Sequence, residues 1–270
     1  NRSKIIVKLM HQLAFRRILT GTPITQSPFD IWNQGEVLEK GMWGRNYYMF
    51  RQHHGMFRIR RFGNRSFEEI VGYRNTDEIK ERMLEFGSEV KKEDCVELPP
   101  KVYEVIDIPQ TAEQKKAYNQ MKDYYAAEVN NQVITTDSPL TKLTKLHQIT
   151  RGHIIDEDGT VHALKHNGIT ILKDTLERLG CKTIIFCNFT APLQEIVANL
   201  GEECVEYSGR TSSEERQVAV DRFQHDDSIK YIVISLQSSG AYGLDLFAAG
   251  AVLYYCNGYS LERRMQSEER

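Results

Sequence analysis

Four polar segments of this 270-residue chain follow short apolar runs that predict β-strands. In an open parallel sheet, ligands bind at the carboxyl ends of the strands, and glycine there lets backbone N–H groups approach a phosphate or a neighbouring lobe. The segments span residues 20–23, 187–190, 235–246 and 257–270. Their candidate ligand-contacting residues are Gly21, Thr22, Gly240, Gly243 and the carboxylate of Asp245.

The last of these segments pairs an amide with a guanidinium. Gln266 and Arg270 are four residues apart, so on a helix they lie on one face. An arginine placed there can neutralise charge on a transferring phosphoryl group. Each segment by itself is also what an ordinary turn after a strand looks like, so only the set as a whole indicates a site.

A basic segment rich in aromatic residues is the second candidate for chemistry. Between residues 40 and 65 the chain has seven lysine and arginine side chains, six aromatic ones and no acidic one. Such a segment can follow a phosphate backbone, with the rings stacking or packing beneath it. The alternative is a helical insertion with a solvated basic face. The basic residues are Lys40, Arg45, Arg51, Arg58, Arg60, Arg61 and Arg65.

The composition excludes several other classes of protein. With 40% hydrophobic and 27% charged residues, the chain is typical of a globular protein rather than a disordered one. The longest apolar stretch, residues 246–256, is too short to span a bilayer, so no membrane contact is expected. Five scattered cysteines without a CxxC pair indicate reduced thiols in a cytoplasmic setting. The isolated pair His53 and His54 is interpreted as a solvated loop, and no metal site is predicted.

Hydrophobic periodicity predicts strands that alternate with helices in the second half of the chain. This order indicates an α/β fold with a parallel sheet. The predicted strands span residues 183–187, 230–235 and 251–256, and the predicted helices span 169–179, 191–200 and 211–223, the last opening on a capping box at Thr211.

The first 160 residues are predicted to be less regular. A strand over 17–19 and another over 102–108 are expected, together with a hairpin at the Asp-Gly turn of residues 155–161. The predicted helices begin near residue 5, cover 76–86, extend from a capping box at Thr111 to about residue 129, and cover 140–149.

Taken together and in order, these segments resemble the SNF-type branch of the superfamily-two helicases, the ATP-driven DNA translocases. The hairpin before the last 110 residues looks most like that of the bacteriophage members. The matched segments are residues 17–24 with 30–32 (motif III), 97–103 (the connector between lobes), 143–149, 182–189 (motif IV), 207–209, 239–246 (motif V) and 266–270 (the start of motif VI).

The resemblance implies two RecA-like lobes, with ATP and Mg²⁺ in the cleft between them in the full-length parent and double-stranded DNA across the top. Residues 1–35 would be the tail of the first lobe, 36–100 a helical basic protrusion, 101–160 the connector and 161–270 the second lobe. The host cell's cytoplasm is the expected location if the protein is from a phage. The resemblance makes Arg270 an arginine finger, with Gln266 beside it. The expected DNA-binding residues are Arg45, Arg51, Arg58, Arg60, Arg61 and Asn188.

Two family motifs do not occur in these 270 residues: the phosphate loop G-x-x-x-x-G-K-[ST] and the acidic Asp-Glu-x-His box. Because ATP hydrolysis needs a phosphate cradle and a metal-holding acid, we expect the isolated chain not to hydrolyse ATP at a useful rate. We also expect Asn1 to follow that box in a longer polypeptide, and the fragment to self-associate through the apolar face of its first helix. The alternative is a non-catalytic DNA- or protein-binding module that keeps the helicase fold.

Overall fold

The computed structural model describes residues 2–63, 65–90, 92–95, 97, 101–238 and 244–268. The chain forms two compact units, Asn1–Tyr103 and Glu104–Arg270. The finer division into four segments stays a prediction. In the parts of the chain that are described, no helix is both long and apolar enough to cross a membrane.

The first unit is built from short helices around a small aromatic core. Its centre holds Phe29, Phe50 and Ile79, with the rings of Phe29 and Phe50 meeting edge to face at 6.2 Å. A capping box of Ser27 and Asp30 opens the 3-10 turn that carries Phe29 into this core. The helices are α1 (Arg2–Met10), α2 (Ile31–Leu38), α3 (Tyr47–His54), α4 (Thr76–Phe86) and α5 (Lys92–Cys95).

The middle of the basic segment is a β-hairpin, so the prediction of a helical protrusion over residues 36–100 is wrong there. Strands β1 (Gly55–Phe62) and β2 (Arg65–Tyr73) pair antiparallel, with Ile59 opposite Glu68. The physical reason lies in residues 57–60 of β1, which alternate apolar and charged side chains with period two; this suits a pleated strand and would scatter charges around a helix. Helices flank the hairpin on both sides.

The two strands predicted at residues 17–19 and 102–108 are not formed. Both segments are irregular, and Leu19 is 97% exposed. A strand is stable only when its backbone groups pair with a neighbour, and no described strand lies alongside either segment. The apolar side chains of α1, among them Ile5 and Leu9, are also exposed. Self-association through this helix stays a prediction.

The second unit begins with a helical hairpin that carries two small β-ribbons. Helix α6 (Ala112–Tyr124) opens on the predicted capping box at Thr111 but ends at Tyr125, whose φ of 57° is left-handed. The chain then forms a hairpin rather than more helix, because Asn130 and Asn131 adopt positive φ and make a tight two-residue turn. The elements that follow α6 are β3 (Ala126–Val129), β4 (Gln132–Thr135), α7 (Pro139–Thr150), β5 (His153–Ile155) and β6 (Val161–Ala163).

The rest of the second unit is a four-stranded parallel sheet with helices between its strands, which confirms the predicted α/β class. The order of the strands across the sheet is β10-β7-β9-β8. The elements are α8 (Gly168–Leu179), β7 (Thr183–Cys187), α9 (Thr190–Leu200), β8 (Cys204–Tyr207), α10 (Ser213–His225), β9 (Tyr231–Ser235), β10 (Ala251–Tyr254) and α11 (Leu261–Glu268).

Both faces of this sheet are buried. From the central strand β7, Ile184 and Phe186 point to the face covered by α10, and Ile185 and Cys187 point to the face covered by α8 and α9. Burial on both faces explains why the strands are continuous apolar runs rather than alternating ones.

The cap of α10 lies one residue later than predicted. Ser212 and Glu215 form its capping box, and not Thr211 and Glu214. The hydroxyl of Thr211 instead donates to the carbonyl oxygen of Ser208 at 2.9 Å, which closes the turn after β8.

Candidate functional site

The carboxyl ends of the parallel strands bring polar segments together, as the sequence predicts for such a sheet. Asn188 follows β7, and its carbonyl oxygen accepts a hydrogen bond from the side-chain amide of Gln237, beyond β9, at 3.1 Å. Gly258, beyond β10, lies so close to Asn188 that a Cβ atom there would be 2.9 Å from its side-chain oxygen. Glycine at position 258 therefore allows the loops after β7 and β10 to touch.

A cavity of about 160 Å³ opens at this edge between β8, β9 and the start of α9. Its lining is rich in hydroxyl groups, and the hydroxyl of Ser238 is buried without a hydrogen-bond partner among the described residues. The exposed side chain of Arg210 adds a positive charge at the rim. Hydroxyl donors, a guanidinium group and a helix N-terminus suit a small anionic group. The lining residues are Thr190, Leu193, Ser208, Gly209, Arg210, Ser235, Gln237 and Ser238.

This cavity does not enclose a whole nucleotide or a Mg²⁺ ion. Its volume is below the roughly 300–1,000 Å³ of pockets that take a drug-sized ligand. None of its described lining residues carries a carboxylate, whereas Mg²⁺ in proteins is held through carboxylates and phosphates. Asp245 is exposed, and it is its carbonyl oxygen, not its carboxylate, that accepts a hydrogen bond from Gln224 at 2.6 Å.

Helix α11 is fixed to the end of β10 by an aromatic contact that sequence reasoning missed. The guanidinium of Arg264 lies 3.3 Å from the ring centroid of Tyr254 and donates to the side-chain oxygen of Asn257 at 3.1 Å. The hydroxyl groups of Tyr254 and Ser267 are 2.7 Å apart. These contacts orient the helix that carries Gln266, whose side-chain amide donates to Glu262 at 3.3 Å. The predicted site residues Gly240, Gly243 and Arg270 lie outside the described residues.

Two buried thiols lie beneath this edge of the sheet. The sulfur atoms of Cys187 and Cys256 are 3.1 Å apart, and the backbone N–H of Asn188 donates to Cys256. Burial raises the pKa of the Cys187 thiol well above its usual value. At Cys256 burial acts in the same direction, but hydrogen bonds from Cys187 and from the backbone outweigh it and lower the pKa. The thiols are packed among apolar side chains, as reduced structural cysteines are.

In the first unit, the predicted residues Gly21 and Thr22 lie on an irregular loop. The backbone N–H of Thr22 donates to the hydroxyl of Thr20 at 3.1 Å, and the space around Gly21 is open. The loop continues into a turn held by Asp30, whose carboxylate accepts from three consecutive backbone N–H groups at 2.8–3.2 Å. Partial burial raises the pKa of Asp30, but these donors lower it to below its usual value.

Three of the predicted DNA-binding arginines are engaged within the hairpin and its preceding helix. Arg58 and Arg60 on β1 both contact the carboxylate of Glu69 on β2, at 3.0 and 2.5 Å. The hydrogen bonds from Arg58 and Arg60 lower the pKa of Glu69. Arg51 pairs with Glu68 at 2.8 Å and lies over the ring of Phe57 at 4.2 Å. The acids that partly neutralise the basic segment therefore come from the returning strand.

Arg45 and Arg61 differ from these three arginines. Both side chains are exposed, and neither makes an ion pair with a residue that the structure describes. They are the predicted DNA contacts whose charge is not balanced by a neighbouring carboxylate in the described part of the first unit.

Residues 167–270 match the family model described as Helicase conserved C-terminal domain. The DNA annealing helicase and endonuclease ZRANB3 of Homo sapiens is 24% identical over 94% of this chain, which spans only 23% of that protein. Helicase swr1 of Schizosaccharomyces pombe is 30% identical over 37% of this chain and 8% of its own length. The SWI2/SNF2 ATPase core domain of Sulfolobus solfataricus aligns with 93% of this chain and 52% of its own, with 21% identity and a TM-score of 0.46.

The helicase match begins at the N-cap of α8 and covers the whole parallel sheet. The polar edge formed by the loops after β7, β8, β9 and β10 thus lies within the residues that match this family model. The candidate residues Asn188, Asp245 and Gln266 all lie within it.

Proposed function

We propose that this chain is part of an SNF2-type, ATP-dependent DNA translocase, and that its second unit contains the second RecA-like lobe of that enzyme. The observation that carries the proposal is the helicase carboxy-terminal match over residues 167–270, which coincides with the parallel sheet. Relatives named as helicases, including the human DNA annealing helicase that aligns with 94% of this chain, support it. The bacteriophage likeness is part of the proposal and rests on the sequence resemblance alone.

In this proposal the polar edge of the sheet faces ATP as substrate. Arg210 and the hydroxyl groups of the 160 Å³ cavity would contact an anionic group. Helix α11, fixed by Arg264 and Tyr254, would present Gln266 to the same side. The role of Arg270 as an arginine finger stays a prediction from the sequence. Mg²⁺ is not assigned to the 160 Å³ cavity, because none of its described lining residues carries a carboxylate.

For DNA, the proposal assigns the main contacts to Arg45 and Arg61. An arginine already paired with a carboxylate gains less from a phosphate, because the pairing must be lost or shared. Arg58 and Arg60 are paired with Glu69, and Arg51 is paired with Glu68. We therefore expect Arg45 and Arg61 to contribute more to DNA affinity than the three paired arginines, although the sequence alone gives all five equal weight.

Replacing Arg45 and Arg61 together with alanine is expected to weaken binding of a labelled DNA duplex by about tenfold at low salt, and to reduce the slope of log affinity against log salt by about two. Fluorescence anisotropy over a salt series measures both. The matched control is Lys115→Ala with Lys122→Ala, which removes two exposed charges from α6 of the other unit. Equal affinity in the arginine variant and the parent would remove this DNA surface from the proposal.

Replacing Glu69 with glutamine is expected to strengthen duplex binding about fivefold. The change releases Arg58 and Arg60 from their shared carboxylate and removes a negative charge from the surface that faces phosphates. Glu81→Gln, on the exposed surface of α4, provides the control of equal charge. If both variants gain affinity equally, the effect is due to net charge and not to release of the two arginines.

A further inference from the structure

Two histidines and a glutamate meet at the base of the β1–β2 hairpin. His53 and His54 end α3 directly before β1, and Glu78 lies in the first turn of α4, just beyond β2. The pairing of Gly55 with Tyr73 closes the hairpin and brings its two ends together. Side chains 25 positions apart in the sequence are therefore neighbours at this point.

The donor atoms of these three residues lie within 4.8 Å of one another. His53 Nε2 is 2.7 Å from Glu78 Oε2, and the two imidazole rings are 4.6 Å apart and nearly perpendicular. His54 is buried, and its Nδ1 lies 3.0 Å from the carbonyl oxygen of Asn75. With the Nδ1 proton donated to that carbonyl, His54 would offer its Nε2 lone pair to a ligand, as in metal sites where a second contact fixes the tautomer.

Asn75 contacts both histidines of this cluster. It adopts a left-handed φ of 52°, a costly conformation for a residue other than glycine. In this conformation its carbonyl meets His54, and its side-chain amide donates to the carbonyl oxygen of His53 at 3.1 Å. The neighbouring guanidinium of Arg74 is engaged with carbonyl oxygens of Gln52 and His53 at 2.7 and 3.1 Å, at the end of α3.

We propose that His53, His54 and Glu78 form a divalent metal site, with Zn²⁺ as the preferred ion. Two imidazole nitrogens and one carboxylate oxygen are a donor set that suits zinc and leaves a fourth, open position for water. Ligand atoms around tetrahedral zinc lie about 3.3 Å apart. The donor atoms observed here are 2.7–4.8 Å apart, a range that includes this value, so small side-chain movements are enough to bring them into zinc-binding positions.

The position of the site explains what the metal would do. The aromatic core of the first unit is small, so a metal that links two of its helices would add to its stability. A metal here would link the end of α3 to the start of α4 and so fix the base of the hairpin that carries Arg58, Arg60 and Arg61. The inference does not depend on the proposed function, because metal binding is measured without DNA or ATP.

The same contacts can also be explained as a simple ion pair between His53 and Glu78 beside a hydrogen-bonded His54. A metal titration separates the two explanations. The 270-residue chain is titrated with Zn²⁺ by calorimetry and with Co²⁺ by visible absorption, under conditions that keep its cysteines reduced. We expect one equivalent to bind, a tetrahedral Co²⁺ spectrum without a sulfur-to-metal charge-transfer band, and a higher melting temperature with zinc.

The variants Glu78→Gln and His53→Asn are each expected to lower zinc affinity at least about tenfold and to abolish the rise in melting temperature. Both change exposed side chains, so the fold should persist, which circular dichroism checks. Glu81→Gln on the same helix is the matched control and should bind zinc like the parent. Absence of binding in the parent, a thiolate charge-transfer band, or equal affinity in the two ligand variants and the control would each overturn the proposal.

Discussion

Replacing Phe186 with alanine is expected to destabilise the second unit by about 3–5 kcal/mol, the usual cost of emptying a large aromatic site in a closely packed core. Phe186 is fully buried on the central strand β7, with β10 on one side and β9 on the other. Its ring stacks on that of Tyr254 at 5.1 Å. Urea unfolding followed by circular dichroism measures the loss.

The control for this variant is Phe247→Ala, which removes the same side chain from a position that is 73% exposed. Surface changes of this kind stay within about 0.5 kcal/mol. A similar loss of stability in both variants would contradict the packing described for the sheet.

The Phe186 variant has a second consequence at the polar edge. The ring of Phe186 supports Tyr254, and Tyr254 in turn supports the guanidinium of Arg264. Loss of the first ring removes one side of this stack, so helix α11 is expected to open more often. Faster hydrogen exchange over residues 261–268 in the variant, but not in Phe247→Ala, would show that the core positions Gln266.

The sequence is informative where local signals and burial agree. The parallel strands β7 and β9 are continuous apolar runs, because both faces of the sheet are covered, and they are predicted almost to the residue. Side-chain caps are local as well, so the start of α6 at Thr111 is predicted correctly. The one-residue error at α10 arises because Thr211 and Ser212 are both good caps, and only the turn after β8 decides between them.

The hairpin of the first unit contains ion pairs that the residue composition of the basic segment does not reveal. The basic segment was defined as residues 40–65, and the acids that pair with it, Glu68 and Glu69, begin just beyond that limit. A charge count that stops where β2 begins leaves out almost all of the second strand, so it cannot reveal pairing between the two strands. Residues 57–60 of β1 alternate and so carry a strand signal, but β2 does not alternate, so the pairing of Arg58 and Arg60 with Glu69 is visible only in the structure.

The polar edge of the sheet is predictable only in part. Its location follows from strand order, since polar loops after parallel strands share one edge of the sheet. Contacts between residues far apart in the chain cannot be predicted from the strand order, because they depend on how the helices pack. The stacking of Arg264 on Tyr254 and the meeting of His53 with Glu78 are of this kind. The interpretation of His53 and His54 as an isolated pair in a solvated loop is therefore wrong: both lie at the end of helix α3, His54 is buried, and Glu78 is beside His53.

A buried histidine in the second unit gives the other large effect, a loss of stability in mild acid. His153 is 3% exposed beside a cavity of about 360 Å³, and neither ring nitrogen makes a well-aligned hydrogen bond to a described residue. Burial lowers its pKa to about 4, and the nearby carbonyl of Arg151 and the carboxylate of Glu195 offset this only in part. The neutral ring is therefore the form that the fold accommodates.

The sign of the effect follows from comparing the two states. In the unfolded chain a histidine titrates near 6.5, so between about pH 6.5 and pH 4 the unfolded state holds a proton that the folded state does not. Stability is complete above that window and falls as the pH decreases through it. The full difference corresponds to about 3 kcal/mol, and the part lost between about pH 7 and pH 5 is about 2 kcal/mol.

The variant His153→Phe is expected to remove this part of the acid sensitivity, since a ring of similar shape beside Phe189 keeps the packing and has no proton to gain. Urea unfolding at about pH 7 and about pH 5 gives the difference in each protein. Some sensitivity will remain, because burial also lowers the pKa of His147, the adjacent histidine. His225→Gln, at an exposed position of α10, is the control. If His153→Phe loses as much stability as the parent does between the two pH values, the buried neutral ring is not the source of the acid sensitivity.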